Sequence, residues 1–518
     1  MRRCPPLQPV GPSTAAAVAA AVVPAVASLV AAVPPTGSSS RRSSPILMNW
    51  GLPGFRAGEP PVLEVPMNPQ AQNTSALPEL LGKMESLLSP RVGIGGALTP
   101  MPRHAGEPRV YLYNVETALL GPQGMRPSRP IAGGAGFSYE EAAVSALGEL
   151  VEGYCAAYLE PGNIVRGSYR ELRRHHELLE PERFALFSER QYETPGFPYP
   201  RFSEDAHCAW VWGYSLVRKK RLLVPASRVY MPYTLKADEA DIGPTISTGL
   251  ATGSSLEGAI VSGLHECLER DAFTLFWMNE LPVRRIQLRD ASGSTRTGQL
   301  FLQHLEAPGY EYRAYDITSD LGVPTTYALL TCPSARGPLY IVGGATRLDG
   351  GQATLKALME TVQTRPYVLW LMERDPHWRP AADFSNVVDF PFTCRLYTVA
   401  RELRPHLLAV EDRVTSEVSL EQLPRWESRD AATDLAELVR RFERRGYEAV
   451  VVELTTPDIA ALGLRVVRVI TPELQQLHAD HRYPFLGGKR LYDVPVRLGH
   501  RTRPAEETQL NPYPHPFP

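Results

Sequence analysis

The chain has 518 residues, 43% hydrophobic and 21% charged, the composition of an ordinary folded protein with length for about two to four domains. Its 54 basic and 56 acidic residues leave a net charge of -2, so it lacks the basic excess of an electrostatic nucleic-acid binder, and no nucleic-acid partner is expected. The 6 cysteines stand far apart with no C-x-x-C pair, which reads as free thiols in a reducing, cytoplasmic setting and not as a disulfide framework.

Residues 1–60 carry an Ala/Val run (Ala15 to Val33, broken by Pro24) and then Pro/Ser/Arg low complexity, too poor in large apolar side chains to build a core. They are expected to be a disordered or misread extension, with Met48 as an alternative start. Residues 61–108 form a proline-rich lead-in with a short helix over Leu77–Leu88. From 109 to 500 apolar extended runs (Val110–Tyr113, Tyr340–Val342, Val450–Val452) alternate with amphipathic patterns such as Thr433–Arg445. This predicts one α/β (α+β) catalytic domain around a large sheet. No segment after residue 48 is long and apolar enough for a membrane span, so no membrane partner is expected. Residues 501–518 end with proline at every second position from Pro512 to Pro518, which neither a helix nor a central strand tolerates, predicting an extended polyproline-type tail.

One pattern occurs three times: a glycine-rich turn, a capping residue, an amphipathic helix and a polar pair three residues apart. The glycine runs are Gly133–Gly136, Gly249–Gly253 and Gly343–Gly344; the caps are Ser138, Ser255 and Asp349; the pairs are Glu149/Glu152, Glu266/Glu269 and Glu360/Gln363. In each, the first glutamate follows the cap by about three helical turns, so cap and pair share a face. Ser138 with Glu141 fits a capping box, Asp349 with Gln352 approximates one, and Ser254 with Glu257 offers a shifted alternative for the second helix. Alone, such a pair is usually a solvated face. Here apolar residues surround the carboxylates (Ala146 and Leu147, Leu264 and Leu268, Leu358 and Met359), and buried carboxylates are costly unless paired or bound to metal. Converging glutamates suit Mg2+ ions carrying a nucleoside triphosphate, with Arg270 and Arg365 beside the second and third pairs for the phosphates. No Walker G-x-x-x-x-G-K-[ST] motif is present. His265-Glu266 lacks the second histidine of a zincin, His175-His176 reads as solvated charge, and His207-Cys208 has no spaced zinc partners. Cys267 reads as a buried helix position.

These residues resemble the three nucleotide motifs of the YcaO family in order: Ser145–Glu149 through Glu152, Thr248–Ala251 through Glu266–Ala272, and Glu360–Arg365. The similarity continues through Trp212–Leu216, Val224–Ala226, Leu454–Asp458 and Phe485–Leu491, and so covers roughly residues 85–518. The alternating-proline terminus is similar to the P-x-P-x-P ending of the azoline-forming branch. The resemblance implies a YcaO-type fold with a buried nucleotide site and ATP and Mg2+ as cofactors. It implies Glu149, Glu152, Glu266, Glu269 and Glu360 as metal ligands, and Ser145, Ser254, Arg270, Gln363 and Arg365 as nucleotide-binding groups. It also implies Pro514, Pro516 and Pro518 as the catalytic tail, which is expected to thread toward the glutamates with the Pro518 carboxylate nearest. The implied reaction turns Cys, Ser or Thr of a ribosomally made precursor peptide into thiazoline or oxazoline through phosphorylation of a backbone amide. The implied partners are the precursor and a leader-binding protein of the E1-like, ocin-ThiF type, and the resemblance leaves room for a flavin dehydrogenase and a homodimer. Five positions depart from the family pattern. Gly153 stands where an arginine usually follows Glu152, Ala135 where a lysine is common, and Ala251, Ser254 and Gly258 where Ser, Asn and Glu are usual. The alternatives weighed are another amide-activating reaction such as thioamidation, and a non-catalytic peptide-binding scaffold with a degenerate nucleotide site.

Overall fold

The computed structural model describes residues 76–118, 131–184, 186–289 and 293–518. The extension expected over 1–60, the alternative start at Met48, Cys4 and the first part of the lead-in lie outside them. Helix α1 is Ala76–Glu85, ending short of the expected Leu88.

Among the described residues the strands form three sheets, where the sequence reading expected one large sheet. The first holds β1 (Gly95–Pro100), β2 (Tyr111–Thr117) and β3 (Ile131–Gly136) as an antiparallel meander in that order. The second contains β4 (Ile164–Ser168), β5 (His207–Ser215), β6 (Lys220–Pro225), β7 (Leu250–Gly253), β13 (Val450–Glu453) and β14 (Arg465–Ile470). Its order is β4-β5-β13-β14-β7, with β6 folded back onto β5. The third contains β8 (Val283–Gln287), β9 (Glu311–Asp316), β10 (Thr325–Cys332), β11 (Leu339–Thr346) and β12 (Val414–Ser419), ordered β11-β10-β9-β8-β12 with only β12 parallel to its neighbour.

The glycine runs read as turns lie mostly in strands. Gly133–Gly136 fall in β3 and Gly343–Gly344 in β11, while Gly249 alone takes a left-handed backbone (φ 86°) just before β7. Their function is close approach. A Cβ on Gly134 would sit 2.2 Å from the Ala142 carbonyl oxygen, and one on Gly343 would sit 2.5 Å from that of Ala357. Only a strand without side chains at these points lets a helix backbone lie directly on it. This also explains the three sheets: β3, β7 and β11 are each the last strand of their sheet, and a helix covers each edge.

The covering helices are α2 (Tyr139–Ala156), α3 (Leu256–Asn279) and α4 (Gly350–Arg374). Their N-caps are the three residues read from the sequence. Ser138 accepts from the Glu141 N–H, Ser255 from that of Gly258 and Asp349 from that of Gln352. The shifted Ser254 alternative is not used. The Glu141 carboxylate accepts from the Phe137 N–H, one residue earlier than a full capping box requires. α2 and α3 are buried on nearly every face, so each is a core helix and not a surface one.

The three units close into a ring. α2 lies on β3 and reaches β7, α3 lies on β7 and reaches β11, and α4 lies on β11 and reaches β3. Around them come α5 (Phe390–Val399), α6 (Ala431–Arg445, capped by Asp430 and ended by Gly446) and α7 (Arg490–Arg497). Two residues past the second glutamate pair, α3 is pinned to α7: Arg490 donates to buried Asp271 at 2.8 Å and to Asp320 at 2.8 Å. Among the described residues no helix is long and apolar enough to cross a membrane.

Candidate active site

The ring gives each polar pair one job at its own strand and one at the next. Glu149, Glu266 and Glu360 each reach back 16 or 17 residues to a backbone N–H of their own unit. The donors are Gly133 at 2.7 Å, Gly249 at 3.0 Å and Gly344 at 3.4 Å. The second member of each pair, one turn on, faces the following unit. Glu152 accepts from the Thr252 N–H of β7 at 2.9 Å. A Cβ on Gly344 of β11 would lie 3.6 Å from Cγ of Glu269, and a Cβ on Gly133 of β3 would lie 3.7 Å from Nε2 of Gln363. The pairs thus link each unit to the next around the ring's buried centre, and all six residues are at least nine-tenths buried.

Three cations share this centre. Arg270 lies 3.8 Å from Glu266 and 3.5 Å from Glu269. Lys356, one turn before Glu360 on α4, places Nζ 3.2 Å from its carboxylate, although the pair lacks hydrogen-bond geometry. Arg347, at the end of β11, feels both Glu269 and Glu360. Burial, and after it the Glu360 charge, push the Glu269 carboxyl well above the ordinary range against the pull of Arg270. Burial lowers Lys356 and Arg347 while Glu360 and Glu269 oppose the change. The Ser145 hydroxyl and both amide atoms of Gln363 are buried and find no protein hydrogen-bond partner among the described residues. Such groups cost free energy unless something else meets them.

The remaining sequence candidates divide. Arg365 is turned to Glu107 at 2.9 Å and lies over the Tyr310 ring, away from the role read for it. Ser254 is exposed just before the cap of α3. The five glutamates do not form one metal cage: among the described residues no three His, Cys, Asp or Glu side chains group closely enough to hold an ion by themselves. Mg2+ characteristically takes one or two carboxylates and completes its shell with phosphate and water, so pairs such as Glu269 and Glu360 fit it better than a full cage. Cys267 is buried and its thiol is pushed up to about 12, which leaves it unreactive. His265 is held neutral by burial. Gly153 leaves open space where the resemblance implies an arginine, since a Cβ there meets nothing within 4 Å. Gly258 sits in the first turn of α3 with its N–H spent on the Ser255 cap. Lys356 was legible from its i,i+4 spacing to Glu360, although the sequence reading did not use it; Arg347 carried no such signal.

The C-terminal tail runs into the same region. Its prolines have no N–H to satisfy, and side chains meet most of the carbonyls. Trp277 donates to the Tyr513 carbonyl at 3.0 Å, Tyr397 to that of Pro514 at 2.7 Å and Thr393 to that of Phe517 at 2.8 Å. His515 bonds the His478 carbonyl through Nε2 at 2.6 Å, and its Nδ1 accepts the Phe517 N–H at 3.2 Å, which fixes a neutral tautomer. Burial lowers His515 to about 3. Pro514, Pro516 and Pro518 are buried, and between the last two Phe517 places its ring 4.4 Å from the Arg270 guanidinium. The sequence reading did not single out His515 or Phe517. A cleft of about 310 Å3 lies elsewhere, beside Leu275 and Phe276 of α3 and Val494 of α7, and contains none of the acidic cluster.

A family model described as YcaO cyclodehydratase, ATP- and Mg2+-binding, matches residues 133–475. An uncharacterised protein of Methanothermobacter thermautotrophicus is 28% identical over 296 residues, 57% of this chain and 69% of its own length. Among solved structures, a heterocyclase in complex with substrate and cofactor aligns with a TM-score of 0.68 at 24% identity, covering 88% of this chain and 59% of its own. The heterocyclase TruD aligns at 0.55 and 27% identity, covering 72% of this chain and 50% of its own. YcaO from Methanopyrus kandleri, bound with AMPPCP and Mg2+, aligns at 0.53 and 19% identity, covering 79% and 93%. The chain therefore spans between half and three-fifths of the length of the two heterocyclases it matches.

Proposed function

The chain belongs to the YcaO family, an ATP- and Mg2+-binding family, and on that premise we propose that it is a cyclodehydratase closing thiazoline or oxazoline rings in a ribosomally made precursor peptide. Residues 109–500 form the catalytic domain in this reading, and 501–518 form its tail. The observation that carries it is the closed ring of three strand–helix units, in which buried Glu149, Glu152, Glu266, Glu269 and Glu360 tie strand to helix around the ring and Arg270, Arg347 and Lys356 lie beside the last three.

The residues present fit a magnesium nucleotide. Gln363 and Ser145 offer buried polar atoms that lack protein partners, and a cation relieves the crowding of Glu269 against Glu360. When bound, Mg-ATP supplies the phosphoryl group that makes a leaving group of the amide oxygen. The chain's own work is orientation and charge. Glu269 and Glu360 would hold the metal with Glu266 beside them, and Arg270, Arg347 and Lys356 would neutralise phosphate oxygens. The Gly133, Gly249 and Gly344 amides fix the carboxylate rotamers. Burial excludes the water that would compete with the substrate oxygen for the phosphoryl group. The substrate side chain first attacks the preceding carbonyl carbon and gives up its proton; once the resulting oxyanion is phosphorylated, that oxygen departs on phosphate and the amide N–H proton leaves to form the C=N bond, so each ring costs the peptide one water. A leader-binding partner protein presents the peptide.

Incubating the chain with precursor, partner and Mg-ATP is expected to remove one water from the precursor per ring, read by mass spectrometry, with phosphate released in step. A precursor that keeps its mass while ATP is consumed, or that exchanges oxygen for sulfur when sulfide is supplied, would replace this reading with another amide-activating reaction.

A further inference from the structure

The Phe517 ring is fully buried and touches three things at once. It packs on Phe273 with centroids 4.5 Å apart, faces the Arg270 guanidinium at 4.4 Å, and occupies the space that a side chain on Gly344 would need. A Cβ on Gly344 would fall 2.8 and 2.9 Å from two of its ring atoms. Both of the latter neighbours serve the acidic cluster: Arg270 lies between Glu266 and Glu269, and the Gly344 N–H is the one that Glu360 accepts. Phe517 is itself fixed, because its N–H goes to His515 and its carbonyl to Thr393.

We propose that Phe517 is the positioning residue through which the C-terminal tail sets the nucleotide-facing groups. Its ring face orients Arg270, and its edge keeps the Gly344 amide in register with Glu360. Tail and nucleotide site are therefore coupled through one aromatic side chain. The inference rests on the nucleotide reading above and extends it to a residue outside the three motifs. A filler role would need only volume, whereas a positioning role needs the aromatic face, since aliphatic carbon offers a guanidinium no π-electron attraction.

The test titrates the full chain with Mg2+ and AMPPCP, carried to millimolar nucleotide so that a weak wild-type constant is still measured. Phe517→Leu, which keeps most of the volume, is expected to weaken binding about tenfold. Gly344→Ala leaves the tail sequence intact but displaces the ring, and is expected to weaken binding to a similar degree. The double variant should be no weaker than either single one, because both act on the same contact. In turnover, KM for ATP should rise while KM for the precursor stays unchanged. Wild-type nucleotide affinity in Phe517→Leu would overturn the inference, even if Phe517→Ala is impaired, since packing alone would then suffice. Additive losses in the double variant, or a rise in precursor KM alone, would also overturn it. Absence of nucleotide binding by the wild-type chain even with precursor and leader-binding partner present would instead defeat the underlying reading, and this inference with it.

Discussion

Glu266→Gln is expected to abolish ATP turnover, by about 100-fold or more, while moving Tm by no more than about 2 °C. The amide keeps an oxygen for the Gly249 N–H at 3.0 Å, so the link between α3 and its own strand survives. The lost charge is one of several crowded carboxylates at the centre, and Arg270 retains Glu269 at 3.5 Å. Removing it therefore strands no buried cation, and a site that crowds like charges commonly sacrifices stability for function. Steady-state phosphate release and a thermal melt on the same preparation read both halves. Full turnover by the variant would remove Glu266 from the metal site, and a large fall in Tm would show that it is mainly structural.

Deleting residues 512–518 is expected to have the opposite signature: loss of ring formation, about 100-fold or more, together with a clear loss of stability. Phe517 and His515 are buried in the core, and removing them uncovers Phe273 and Trp277. It also leaves the Tyr397 hydroxyl and the Trp277 N–H without the carbonyls they now donate to, while the Thr393 hydroxyl falls back on the Phe390 carbonyl at 3.0 Å. Burying a phenylalanine is worth about 2–3 kcal/mol, and each of the two orphaned donors costs about 1–3 kcal/mol, so a loss of about 4–9 kcal/mol is expected. Water loss from the precursor and a denaturant melt measure the two effects. Full heterocyclisation by the truncated chain would remove the tail from the account and, with it, the main reason for placing the chain in the azoline-forming branch.

Much of the site is written locally, and that part was legible. Ser138, Ser255 and Asp349 cap helices because short polar side chains accept the first free N–H groups, a rule that acts within four residues. The pairs Glu149/Glu152, Glu266/Glu269 and Glu360/Gln363 share helix faces because the helical repeat demands it. The glycine runs were misread because glycine serves a turn and a close strand–helix contact equally well, and only the partner backbone, Ala142 against Gly134 for instance, decides between them. The same ambiguity hid the three separate sheets, whose edges end where a helix takes the place of a neighbouring strand. Arg365 is paired elsewhere for a related reason. Its spacing from Glu360 permits the centre, but Glu107, more than 250 residues earlier, takes its guanidinium. Arg347 and Phe517 reach the centre through tertiary folding alone. Their roles depend on which strand ends beside which helix, and no spacing within the chain records that.

The central claim is that the ring of three units is a magnesium-nucleotide site, and calorimetry with Mg2+ and AMPPCP tests it most directly. Gly153 lacks the arginine and Gly258 the carboxylate that the family pattern would supply, so weak binding is predicted for the chain alone. Marked tightening is predicted once precursor and leader-binding partner are added. Tight binding by the chain alone would show that Arg347 and Lys356 make up for both departures and would leave the site intact. No heat of binding under any of these conditions would contradict the account and leave a peptide-binding scaffold in its place.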